Sequence, residues 1–477
     1  MKKLSIPALI ILLTVSLAGC KKWATDKSNI YQAPVVPGKT VSDSIPLAGS
    51  VKGTMLAGKT YTIDSDIVIN PSDSLIIQEG VTLNFRHGSG MVVLGSLFSI
   101  GTKAAPIYMT VLGVSKNNNP GLSLTQDSAH IGLWRGIIGG TTCPVMVIKW
   151  THIDFAGNTE GNTISALKQV NQGPTTSFNI LFQNYNGYFI LEDSWVYGGT
   201  DDCIRISSGK VHVFRNTFEK CGGAGGDCVN MKGGTTGTVA YNFFIGTAYN
   251  GQKVSNKGQG AGAPQANVVM YNSTFVNCGA QVTPGQRGST IDYEQGAAGA
   301  FFNNVAVNCA VGYRVVNNPA ADTTHLTYGY NYQYADSLDV AEQFFTWGPV
   351  CTIPQSTDLP LPSSYLPANF NYESPQPAFD HANAAYDGTP AIQKISPLFV
   401  NFPLPANDHG YFPWQNNTIG SFDFHLQPNS PLIGKGTTTA VQPMTVVPLD
   451  PIYGATEVTL PGADLGCYQS NGKGNQH

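Results

Sequence analysis

The chain has 477 residues, 53 of them glycine, with 12% charged residues and a net charge of −4. That charge content is about half the usual share, and nothing in it suggests nucleic acid or a strongly charged partner. Low charge with abundant Gly, Asn, Thr and Ser fits stacked β structure full of turns and argues against helical bundles.

In chain order, Lys2 and Lys3 come first, then a short apolar run from Leu4 to Val15, then Leu17-Ala18-Gly19-Cys20. This stretch is too short and wrongly flanked for a stable transmembrane helix and reads as a targeting segment. It resembles a bacterial lipoprotein signal with its lipobox. The resemblance implies cleavage before Cys20, lipidation of that cysteine and a membrane anchor through buried acyl chains. Lys21 and Lys22, with no aspartate after the cysteine, favour the outer membrane by the same resemblance. Residues 21–48 carry Pro34, Pro37 and Pro46 among polar residues and read as a flexible tether.

From about residue 49 short β segments begin. Gly80-Val81-Thr82-Leu83-Asn84-Phe85, Met91-Val92-Val93-Leu94 and Pro106-Ile107-Tyr108-Met109-Thr110 alternate with tight glycine turns. Further on, an apolar-polar-Asn element recurs at Asp193, Asn216, Asn242, Asn272 and Asn303, in steps of 23 to 31 residues. A recurring unit of that size cannot bury its apolar face alone, but stacked units can. Asparagines at equivalent turns would then bond one another up the stack. These segments together resemble the coils of right-handed parallel β-helix proteins of the pectin-lyase-like class, found in bacterial surface lipoproteins. The expected fold is therefore all-β, a right-handed parallel β-helix over residues 49–320. Residues 321–477 read as a Pro-rich irregular segment and a C-terminal cap, resembling the end segment in which a final strand closes the solenoid.

The most informative match is Asp202-Cys203-Ile204-Arg205-Ile206 against Asp227-Cys228-Val229-Asn230-Met231, 25 residues on. It places two carboxylates and two thiols in neighbouring coils, with Ser289 at the same height in a third. Ile204, Ile206, Val229, Met231, Ile291 and Tyr293 should face the core, because side chains alternate along a strand. Arg205, Asn230 and Asp292 then form one outward row, and Ser207, Lys232 and Glu294 a second. Several roles are open to Asp202 and Asp227: binding their own turn backbone, bridging a cation such as Ca²⁺, or sharing a proton so that one acts as an acid. Arg205 or Lys232 would suit the base of a lyase, and Asn230, Asp292 and Glu294 would suit sugar binding, unless the rows are plain solvated surface. Cys203 and Cys228 are in register for a disulfide or for stacked core thiols.

Asp201-Asp202-Cys203-Ile204 also resembles the paired-aspartate motif of polygalacturonase-type glycosidases, which share this fold. That family follows it with a Gly-His-Gly segment about one coil later. Here Gly225-Gly226-Asp227-Cys228 stands in that place, without a histidine. The tryptophans 134, 150, 195, 347 and 414 would stack on sugar rings if exposed in a row. The expectation is a monomeric, lipid-anchored envelope protein that binds or processes polysaccharide, as lyase or glycoside hydrolase. The alternative is a non-catalytic adhesin or structural surface protein.

Overall fold

The computed structural model describes residues 38–117, 122–158, 178–223, 225–257, 264–279, 281, 290–309, 312–334, 351–354, 392–393, 396–402 and 419–477. The signal segment with Cys20, most of the tether, Ser289, Trp347, Trp414 and nearly all of the Pro-rich stretch lie outside the described residues.

The fold is a parallel β-helix with three faces. The coil from Gly209 shows the path: Gly209–Phe214 on face one, Thr217–Glu219 on face two, Val229–Lys232 on face three, then Thr235–Ala240 back on face one. Face one is a ten-stranded sheet from Gly53–Met55 to Leu326–Gly329. Each strand pairs in parallel with its equivalents above and below, as Lys210↔Thr236 and Thr236↔Asn267 show. Parallel crossovers of this kind are right-handed because of strand twist. Stacking extends past residue 320, since Leu326–Gly329 and Tyr332–Tyr334 both continue ladders. It also begins before residue 49, with Thr40 bridging Thr54 and Leu47–Ser50 pairing in parallel with the chain at Ile63–Val68.

Inside, the six residues expected to face the core on face three are all fully buried. Stacked rings such as Phe218–Phe244–Phe275 run up the interior at 4.7 and 4.6 Å.

The corner between faces one and two carries a side-chain ladder that holds part of the expected one, with Asn216 Nδ2 donating to Asn242 Oδ1 at 3.0 Å, and otherwise runs through different residues. Thr151 N–H donates to Ser194 Oγ, Ser194 N–H to Asn216 Oδ1, Asn216 N–H to Asn242 Oδ1 and Asn242 N–H to Ser273 Oγ. Ser273 N–H and Asn304 N–H continue it onto Asn304 and Asn331. Asn272 and Asn303 stand one residue earlier, in register with Asp193, Arg215 and Tyr241, all with positive φ of 48 to 60°. Asn303 Nδ2 still donates to Asn272 Oδ1 at 3.3 Å, and both amides also bind the C-terminal segment, at Asp464 O and Thr437 O. Both are buried asparagine positions with distinct jobs: one satisfies corner N–H groups, the other takes the left-handed turn.

Cys351–Pro354 and Ile392–Gln393 add further parallel rungs, on Arg314–Asn318 and on Gln333–Tyr334, while the described residues from 419 onward cover the side of the stack. Among the described residues, strand Asp423–Leu426 pairs antiparallel with Phe399–Asn401. Residues 451–475 run along the corner between faces one and two, touching Lys149, Tyr241, Thr274 and Asn216.

Candidate functional site

The residues singled out on face three come together as a cluster, in an environment that differs from the expected one. Register places Arg205, Asn230, Lys253, Asp292 and Arg314 in one row, and Lys232, Ser255 and Glu294 in the next. The coil of Gln252–Ser255, with Lys253 and Ser255, lies between two coils that the sequence reading made adjacent. Asn250 likewise follows Asp202 and Asp227, as Cys203 N–H→Asp227 O and Cys228 N–H→Asn250 O show. The signal for this missed coil was Asn250-Gly251-Gln252-Lys253-Val254, which keeps the height but has lost the Asp-Cys pair.

These rows are not solvated surface. Asn230, Lys232, Asp292, Glu294 and Arg314 are buried, and the Lys253 side chain is 13% exposed. Arg205, at 30%, is the open end of the row, with its guanidinium 5.4 Å from the Phe178 ring. The charges pair. Lys253 Nζ lies 3.2 Å from Glu294, 3.8 Å from Asp292 and 3.9 Å from Asp227. Arg314 takes both oxygens of Asp292. Burial alone would depress the Lys253 ammonium, but these three carboxylates outweigh it and hold its pKa above the ordinary value.

Neither aspartate bonds its own turn. Asp202 Oδ1 accepts the Asp227 N–H at 2.8 Å, and Oδ2 pairs with Arg205 and accepts from Asn230. Asp227 accepts from Asn230 and Asn250 at 2.7 and 2.5 Å. Each carboxylate is thus an inter-coil clamp. Burial, with Asp202 nearby adding to it, pushes the Asp227 carboxyl up to about 6. A bound Ca²⁺ needs six to eight oxygens. Here the aspartate oxygens already accept N–H donors, and among the described residues no third carboxylate joins the pair to hold an ion. The residues present do not fit that ion.

Lys232 differs from its neighbours. Among the described residues no carboxylate reaches its Nζ. Burial, then Arg205 and Lys253, pull its ammonium down to about 8.

A second region gathers around the tryptophans. Trp134 is buried, stacked on Phe85 at 3.9 Å. Trp150 and Trp195 are partly exposed and stand side by side, 6.0 Å between rings. On face two, register stacks Tyr108, His152 and Trp195 outward in successive coils, with centroids 4.6 and 4.0 Å apart. Tyr108 is 39% exposed. His477 stacks on Trp150 at 5.3 Å and meets Trp195 edge-on at 3.8 Å. Burial, then Lys116 and His477, hold His152 down at about 3, so the strip is neutral above pH 4.

Trp150 also lines a cleft of about 860 Å³ between the coil corner and the C-terminal segment. Asp193, Arg215, Tyr241, Glu457, Asn471 and Lys473 line it. Arg215 forks onto Asp193 at 2.7 and 2.9 Å and donates to Thr459 Oγ1. Behind them Glu192 accepts the Thr456 N–H and hydroxyl, locking the far wall in place. Tyr108 and His152 were not singled out from sequence. Their signal was an aromatic residue at the outward position of consecutive face-two strands, visible only once coils are aligned.

Comparison with known proteins adds little. No family model matches the chain, and no solved structure matches it. A 49-residue stretch is 45% identical to Protein bark beetle of Drosophila melanogaster, spanning 10% of this chain and 2% of that protein.

Proposed function

We propose that this chain is an envelope-tethered β-helix that binds glycan, anchored through a lipid on Cys20 and built on a pectin-lyase-like scaffold. One observation carries the binding: the partly exposed Tyr108–His152–Trp195 strip, at one ring per coil, beside a cleft lined by Trp150. Coil spacing of about 4.8 Å sets rings at intervals close to a sugar ring's length, and the rings, stacked face to face, offer their edges to a polymer lying along the stack. The cleft has the size and the mixed lining of a ligand site. A polysaccharide screen with the full chain tests this. Binding should fall about tenfold in Trp195→Ala and in Trp150→Ala, near 1.4 kcal/mol each. No retained polymer, or equal retention by both variants, removes the proposal.

A second reading rests on Lys232. A lysine near pKa 8 that no carboxylate reaches among the described residues suits proton abstraction beside a uronate, as in a lyase. It predicts new unsaturated ends from an acidic polymer, abolished in Lys232→Met. Binding without cleavage across acidic and neutral polymers removes this second reading and leaves the first.

A further inference from the structure

We propose that Cys203, Cys221 and Cys228 form a three-sulfur site for a soft d¹⁰ metal ion, Cu(I). Their Sγ atoms all lie within 4.8 Å of one another, and all three side chains are fully buried. The trio is assembled from three places. Cys203 and Cys228 precede face-three strands in adjacent coils, and Cys221 follows the face-two strand between them. Trigonal coordination with metal–sulfur bonds of about 2.3 Å sets sulfurs about 4 Å apart, so small rotations of these side chains close the triangle.

The surroundings keep the place for sulfur. Gly199 is the clearest case: a Cβ there would stand 2.7 Å from Cys203 Sγ. Gly222 N–H donates to the same sulfur at 3.1 Å, a contact that a thiolate would keep, while the thiol donates to Gly198 O at 3.1 Å, a bond given up when the proton leaves. Among the described residues no histidine or carboxylate joins the three sulfurs. Zn²⁺ prefers a fourth ligand, and among the described residues no fourth Cys, His, Asp or Glu stands with the three. A monovalent soft ion content with three sulfurs suits it better. Binding exchanges thiol protons, released to solvent, for one Cu⁺, and no sulfur changes oxidation state. Cys143 and Cys467 are buried too but stand outside this cluster, as small core residues do.

The test titrates the reduced full chain with Cu(I), without oxygen, against the chromophoric chelator bathocuproine disulfonate. The expected result is one tightly held Cu(I) per chain. Affinity should fall roughly tenfold or more in Cys221→Ser and in Cys228→Ala. It should be unchanged in Cys278→Ser, which alters a buried thiol elsewhere in the stack. Circular dichroism reports folding of each variant, and Cys203→Ala replaces any that fails to fold. Equal uptake by wild type and Cys221→Ser overturns the proposal, as does loss from Cys278→Ser alone or no uptake by the folded wild type. Alkylation of the denatured chain that finds two of the three sulfurs joined in a disulfide overturns it as well.

Discussion

The charged rows of face three and the aromatic strip of face two sit on the same scaffold, and their chemistry and accessibility run in opposite directions. Face three holds Asp202, Asp227, Lys253, Asp292, Glu294 and Arg314, nearly all buried and bonded across coils. Face two holds neutral rings with few hydrogen bonds, yet they remain open to solvent next to a cleft. In a β-helix every outward row is repeated by the stack, so charge alone gathers into ladders without any ligand to serve. A row of aromatic residues that stays partly exposed is the rarer feature, and more informative.

The sharpest way to break this contrast is to remove the cation that balances face three. Lys253→Ala leaves Asp227, Asp292 and Glu294 facing one another in a buried layer. Breaking a buried charge cluster in this way costs about 3–5 kcal/mol. Urea unfolding at pH 7 should show a loss of that order. A change under ~1 kcal/mol would mean that the row is solvated after all, and would reopen it as a binding face.

Lys232 and Asp227 sharpen the comparison through pH. The folded Lys232 titrates near 8 against an ordinary 10.5, so the unfolded chain holds more protons between those values. Its contribution to stability is therefore present above about 10.5 and lost as pH falls through 8. Asp227 titrates near 6 against an ordinary 3.8, so its contribution is present below about 3.8 and lost as pH rises through 6. Together they predict a stability minimum between pH 6 and 8 from this pair. Lys232→Met should flatten the alkaline limb and stabilise the chain at pH 7 by ~1–3 kcal/mol, while Asp227→Asn should flatten the acid limb. Unchanged limbs in thermal melts across pH 4–10 would show that both groups are hydrated.

The corner ladder shows how far sequence can be read. Stacking, core rows and strand register on face three were legible because Ile204, Ile206, Val229 and Met231 alternate with polar neighbours at a fixed height. The ladder was placed one residue off at Asn272 and Asn303, because an asparagine satisfies two adjacent corner positions for different reasons. One needs a side-chain acceptor and the other a positive φ. The coil of Lys253 was passed over because insertions between strands vary and it lacks the Asp-Cys signature. Burial of the outward rows was not legible, since alternation tells inside from outside but not what covers the outside. Asn242→Ala separates the two asparagine roles. It orphans the Asn216 N–H and should cost ~1–3 kcal/mol in urea unfolding. Asn272→Gly keeps the turn and should instead loosen the C-terminal segment at Asp464, read as faster hydrogen exchange there.

The smallest effect on stability is expected where function is proposed. Trp195 is partly exposed and held mainly by His152 at 4.0 Å and His477 at 3.8 Å, contacts of about 0.5–1.5 kcal/mol each in favourable geometry. Trp195→Ala should therefore shift unfolding by no more than ~1–2 kcal/mol, whereas Lys253→Ala should shift it far more while leaving polymer binding intact. The two variants thus exchange effects: one breaks binding and spares the fold, the other breaks the fold's balance and spares binding. A Trp195→Ala chain that is strongly destabilised yet binds polymer normally would invert the assignment. The strip would then be packing for the C-terminal residue His477, and the glycan site would have to be sought at the Arg205 end of face three.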